Sequence, residues 1–149
     1  MTQRPVPVPD DVSAPYWRAA AEGRLVLARC ARCRWFCHPP AVVCPNCGST
    51  TPDFAFDEVA GNGSVRSWTV LHQASLAGFE DDVPFVLVDI ELDLDAEGSP
   101  EQPQPTPVRM IGRLLDGPDA ELRLGDAVTL AFEHLGDGSA VPAFNLVRQ

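Results

Sequence analysis

Cys30, Cys33, Cys44 and Cys47 fall in the spacing C-x2-C-x10-C-x2-C, and this restricts the fold of the chain more than any other feature. Each Cys-x-x-Cys pair turns tightly enough to aim two sulfurs at one ion. The ten residues between the pairs make a short hairpin that brings them face to face. Four soft thiolates in a tetrahedron suit zinc, with iron the alternative. With every position filled by protein, none remains for water or substrate, so such a site is structural. Its free energy, on the order of 10 kcal/mol or more, replaces the core that so short a segment lacks. A lone Cys-x-x-Cys would leave redox chemistry or a disulfide open; two at this spacing point to a metal. Cys37 and His38 lie inside the hairpin and could substitute as ligands. Their simpler roles are a small thiol and a surface imidazole ahead of Pro39–Pro40, with Trp35 and Phe36 shielding the sulfurs.

Charge narrows the function. The formal net charge is −10, and all eleven basic residues are arginine, with no lysine. Nucleic-acid binders gain affinity by releasing phosphate counterions through Lys and Arg, so the excess here has the wrong sign. Arg29, Arg32 and Arg34 form a local basic patch, which a rim offsetting thiolate charge explains equally well. No apolar run reaches the roughly eighteen residues of a membrane span. The start, MTQRPVPVPDD, has no apolar h-region. A cytoplasmic location, with no membrane partner, is the resulting expectation.

The chain reads as three units: an arm and helix over 1–23, a zinc ribbon over 24–50, and a β-domain over 51–149. SAPYWRAAAE (13–22) reads as a short helix, started by Ser13 and Pro15 and stopped by Gly23. Ten residues do not hold a helix alone, so Tyr16 and Trp17 pack on the chain's own core or on a partner subunit. RLVLARC (24–30) is a strand leading into the first cysteine pair. Five further strands follow, at 65–72, 84–93, 108–115, 127–135 and 141–148. In the second, Val86, Val88, Ile90 and Leu92 face one way and Asp89, Glu91 and Asp93 the other. Val128, Leu130 and Phe132 repeat the alternation in the fourth. Five strands of this length suit a small closed barrel of the OB type. The segment 116–126 is long enough for a helical turn or two where such a barrel carries its capping helix. The stretch 95–107, rich in Pro and Glu, reads as a poorly ordered surface excursion. The expected fold is therefore mostly β: N-terminal helix, rubredoxin-like zinc ribbon, five-stranded OB-fold barrel.

Signs of independent catalysis are few. His38, His72 and His134 are scattered, no Gly-x-Ser-x-Gly elbow occurs, and the absence of lysine excludes a P-loop and Schiff-base chemistry. Glu80, Asp81 and Asp82 form an acidic cluster best read as a solvated loop. A binding or accessory module fits better than a self-sufficient enzyme.

The succession PYWRAAAEG, L-x-L-x-x-C-x-x-C, PP, CPNCGS, G-x-G-x-V-x-SWT and PFVLVDIEL resembles the zinc-ribbon/OB-fold acyl-CoA-associated family, over about residues 13 to 148. The resemblance implies that Cys30, Cys33, Cys44 and Cys47 hold a structural zinc. It matches Gly61, Gly63, Ser67 and Thr69 to the first barrel strand. It further implies a non-catalytic partner of thiolase-superfamily enzymes, either a thiolase working with hydroxymethylglutaryl-CoA synthase or a thiolase-like retro-aldolase that cleaves a steroid side-chain CoA thioester. The catalytic residues would belong to the partner, in an expected two-plus-two complex. Members often carry Arg after Pro-Pro, where this chain has Ala41. A composition rich in Ala, Arg, Pro and Asp with no lysine looks like that of a high-GC actinobacterial genome, and because the resemblance places the steroid aldolase in actinobacteria, it tilts the expectation that way. In that reading Tyr16 and Trp17 contact the partner, and His72 and Phe79 of the loop 72–84 approach an acyl-CoA shared with it. Two alternatives stand beside it: a single-stranded nucleic-acid-binding OB module, and a free acyl-CoA carrier. The charge opposes both.

Overall fold

The computed structural model describes residues 3–94 and 106–148. Its elements, in order, are α1 (Ala14–Ala21), β1 (Leu25–Arg29), β2 (Phe36–Cys37), β3 (Ala55–Val59), β4 (Gly63–Leu71), β5 (Phe85–Leu92), β6 (Arg109–Leu114), β7 (Ala127–His134) and β8 (Ala140–Leu146). Ser13 stands at the N-cap, but its hydroxyl does not cap the helix. It donates to Asp10 Oδ1 at 2.6 Å, closing the preceding turn. At the other end Gly23 (φ 75°) donates to the Ala20 carbonyl and Arg24 to that of Ala19. This paired C-terminal closure needs a left-handed residue, which glycine supplies without steric cost. It turns the chain straight into β1, against which the buried Ala19 and Ala20 pack.

β1 is the centre of a three-stranded antiparallel sheet, β2-β1-β3. The sequence reading placed no strand at 55–59 and ended the ribbon at residue 50. Instead β3 pairs with β1 along its length, from Leu25↔Val59 to Arg29↔Ala55, so the ribbon's sheet runs on to Val59.

The remaining five strands close into a barrel in the order β4-β5-β6-β8-β7, with a parallel β6–β8 pair and a β4–β7 pair at Gly63↔Val128. Gly63 has no room for a side chain: a Cβ there would lie 2.4 Å from the Glu91 carbonyl oxygen. The expected alternation holds, with Val86, Val88, Ile90 and Leu92 buried together with Val65, Leu114, Val128 and Phe144. Leu25, Leu27, Phe36 and Val59 of the ribbon sheet belong to the same apolar cluster. The expected capping helix is absent. Residues 116–126 form turns, because Gly117 (φ 100°), Pro118 and Gly125 (φ 87°) interrupt any helical run. The Asp116 carboxylate instead accepts from the Leu146 backbone N–H at 2.8 Å. Of the excursion expected at 95–107, residues 95–105 lie outside the described residues. No helix among the described residues is long and apolar enough to cross a membrane.

Candidate metal centre and adjoining cleft

The two cysteine pairs fold alike. In the first, Arg34 N donates to the Cys30 carbonyl at 2.8 Å and Cys30 N to the Trp35 carbonyl at 3.0 Å. In the second, Gly48 N donates to the Cys44 carbonyl at 2.9 Å and Cys44 N to the Ser49 carbonyl at 3.0 Å. Each knuckle ends in a left-handed residue, Arg34 (φ 67°) and Gly48 (φ 73°). This repeated geometry brings all four Sγ atoms within 4.8 Å of one another, with Cys30–Cys47 at 3.9 Å and Cys33–Cys44 at 3.7 Å. Four sulfurs about 2.3 Å from a tetrahedral zinc would be about 3.8 Å apart, so the cage fits the ion. Cys30 and Cys44 are buried, and the Arg32 N–H points at Cys30 Sγ from 3.4 Å. Burial pushes the Cys33 thiol up to about 12. Burial also raises Cys44, but hydrogen bonds from the backbone N–H groups of Cys47 and Asn46 and from the Cys33 and Cys30 thiols together bring that thiol down to about 7. Bound zinc would supply a closed cross-link between the knuckles, with no open position for Lewis-acid chemistry. Cys37 is outside the cage, its Sγ on the Pro39 carbonyl at 3.2 Å.

His38 is also outside the cage, but it is no simple surface residue. Its ring packs on Tyr16, centroids 5.3 Å apart, and burial holds its pKa below the usual 6.5. Tyr16 stacks edge-on with Trp17 at 4.9 Å, and burial raises its hydroxyl pKa to about 12. These three rings form one wall of a cleft of about 360 Å³ where arm, helix, ribbon and barrel meet. Phe79 and Phe85, 6.1 Å apart, also line it. Arg4, reaching in from the arm, lies over the Phe79 ring at 4.7 Å and donates to the Gly78 carbonyl at 3.0 Å. It pairs with both Asp82 and Glu133. Arg113 pairs with the same carboxylates at 3.2 and 3.5 Å and lies over Phe85. Two guanidinium groups against two carboxylates leave no surplus charge here, so the cleft suits an apolar group rather than a phosphate.

Tyr16, Trp17 and Phe79, singled out separately in the sequence, thus border one cavity, while His72 is exposed and does not line it. The sequence reading did not pick out Arg4, Arg113 or Glu133, nor His38 as a cleft residue. The signal that was available lay in β5, where Phe85 and Leu87 occupy the outward face otherwise held by Asp89 and Glu91.

Comparison with known proteins follows this architecture unit by unit. Residues 17–53 match the family model described as ChsH2, rubredoxin-like zinc ribbon domain, and residues 57–133 match ChsH2, C-terminal OB-fold domain. A chain of the solved Ltp2-ChsH2(DUF35) aldolase is 29% identical and superposes with a TM-score of 0.75, over 95% of this chain and 98% of that one. A probable enoyl-CoA hydratase alpha subunit of Thermomonospora curvata is 40% identical over 89 residues, 60% of this chain. The chain spans about a quarter (27%) of that relative's length. With the OB-fold model alone covering more than half of its residues and the ribbon model covering the knuckles, the chain belongs to the ChsH2 zinc-ribbon/OB-fold family.

Proposed function

We propose that the chain is a non-catalytic accessory subunit of a thiolase-superfamily enzyme that acts on an acyl-CoA, in the cytoplasm. The reaction we assign to the partner is retro-aldol cleavage of a steroid side-chain CoA thioester, in a complex of two plus two chains. The observation that carries this reading is the end-to-end likeness to a chain of the Ltp2-ChsH2(DUF35) aldolase, over nearly the whole of both chains. The chemistry of the described residues agrees with it. The four-thiolate cage is closed, and the charged groups of the cleft neutralise one another. The cleft walls, with Tyr16, Trp17 and Phe79, would then meet the apolar part of a shared ligand or of the partner, while the cations for the CoA phosphates come from the enzyme. His72, on the same loop as Phe79, approaches that ligand from outside the cleft. The test is co-expression with the thiolase-like enzyme of the same genome and an assay of thioester cleavage. Full activity of the enzyme alone refutes the proposal.

A second reading has its own observation, the likeness to the hydratase alpha subunit. In it the same module serves a hydratase, and enoyl-CoA hydration in a co-purified complex distinguishes the two. A thiolase or hydroxymethylglutaryl-CoA synthase as partner is separated by the same assay with its own substrates. A single-strand binding role is opposed by the net charge of −10 and would show as salt-sensitive retention of oligonucleotides.

A further inference from the structure

The charge of this molecule is segregated. Residues 24–50 carry four arginines and no Asp or Glu, which leaves a net −14 on the rest of a chain whose total is −10. Two of those arginines are engaged, Arg24 with Glu22 and Glu58, and Arg29 with Asp57. The other two, Arg32 and Arg34, are exposed, and among the described residues neither is in an ion pair. Asp53 borders the same shallow recess as Arg32 without pairing with it. The same ribbon also holds two aliphatic side chains in water, Val42 at 89% and Val43 at 44% exposure. The metal cage makes these neighbours. Arg32 and Arg34 flank Cys33, Val42 and Val43 precede Cys44, and the two sulfurs are 3.7 Å apart.

The knuckle geometry sets one of these positions apart. The second knuckle ends in Gly48, the residue suited to a left-handed turn, whereas the equivalent place in the first holds Arg34 at φ 67°. The knuckle's closure requires the left-handed turn at both places, and in the first this chain carries an exposed arginine where glycine would serve the turn.

We propose that this outer tip of the ribbon, Arg32, Arg34, Val42 and Val43, docks the chain on its partner enzyme, against an apolar depression rimmed by carboxylates. The inference rests on the accessory-subunit reading above. Charge complementarity selects the occupant. Like net charges of −10 oppose the long-range approach of a second copy, whose acidic barrel makes it the competitor that the test below separates, and a nucleic acid would engage the guanidinium groups while leaving both valines in water. An acid-rimmed protein surface uses all four residues. It is also attracted at the ribbon and repelled by the barrel, which fixes one orientation of approach.

The test measures the dissociation constant between the full-length zinc-loaded chain and the thiolase-like enzyme of its genome, at low and at high salt. Charge reversal by Arg32→Glu with Arg34→Glu, and separately Val42→Asp, should weaken binding by about tenfold or more. The double reversal should also flatten the salt dependence. Arg123→Glu, at an exposed arginine of the barrel side, should change little. Zinc stoichiometry verifies that each variant is folded. Arg34→Gly supplies a variant suited to the left-handed turn: its melting temperature should hold or rise while its binding weakens. Ribbon variants that bind like wild type overturn the inference and leave the accessory reading intact. A wild-type chain that does not bind the enzyme at any salt overturns both. Ribbon-dependent self-association in sedimentation, or oligonucleotide binding lost in the same variants, overturns the assignment in favour of a second copy or a nucleic acid.

Discussion

Arg4→Ala removes the guanidinium that ties the N-terminal arm to the barrel. Arg4 is about three-quarters buried, and its partners Asp82 and Glu133 are 23% and 18% exposed, so solvent screens these pairs less than it would on an open surface. Hydrogen bonds to charged groups contribute about 1.5–3 kcal/mol each, and the contact with the Phe79 ring adds about 0.5–1 kcal/mol. Two effects reduce the sum. Holding an arginine still costs up to about 2 kcal/mol of side-chain entropy, and Arg113 stays behind, paired with both carboxylates, to offset one of their two charges. The net loss expected is about 2–3 kcal/mol, enough for a roughly thirty-fold or greater rise in the open population of the arm. The loss saturates at the arm's own docking free energy, because an arm already released has no more to lose. Hydrogen exchange should therefore quicken at residues 3–12 and in the loop 72–84, with barrel amides unchanged. A double-mutant cycle of Arg4→Ala with Glu133→Ala should return a coupling of about 1 kcal/mol or more. A coupling below about 0.3 kcal/mol, or unchanged exchange in the arm, refutes the latch.

Removal of zinc by a chelator, or Cys44→Ser, should melt the ribbon and lower the stability of the whole chain, since Leu25, Leu27, Phe36 and Val59 share the barrel's core; circular dichroism and zinc content measure it, and unchanged melting counts against a structural ion. Gly63→Ala should destabilise by about 2 kcal/mol or more, because its Cβ would meet backbone rather than a yielding side chain; a denaturant midpoint within error of wild type contradicts the close approach. His38 has a folded pKa held below 6.5 by burial, so the unfolded chain takes up its proton first as pH falls. The stability due to neutral His38 is present above pH 6.5 and lost as pH drops toward and through the folded value; His38→Gln should abolish that part of the slope in urea titrations, and an identical slope disproves the burial effect.

Much of this architecture was legible because its signals are local. The cysteine spacing specified the cage, and the strict alternation from Val86 to Leu92 specified a half-buried strand. β3 was not legible. Its residues are mostly exposed or half-buried, and only pairing with β1, whose five residues are all buried, makes Ala55–Val59 a strand. The capping helix failed for a visible reason, since Gly117, Pro118 and Gly125 act locally against it. The cleft was half legible. Aromatic content marked Tyr16, Trp17 and Phe79, but Arg4, Arg113 and Glu133 are assembled by the fold from positions up to 129 apart. No spacing rule reaches across that distance.

The apolar cluster that runs unbroken from Leu27 and Phe36 into Val88 and Phe144 has a mechanical consequence. Two modules joined by a linker would behave as a tether, letting each find its own partner at its own angle. A continuous core behaves as a bracket instead. Whatever grips the outer end of the ribbon thereby sets the bearing of the barrel and of the cavity between them, and torque applied at one end is delivered at the other without slack.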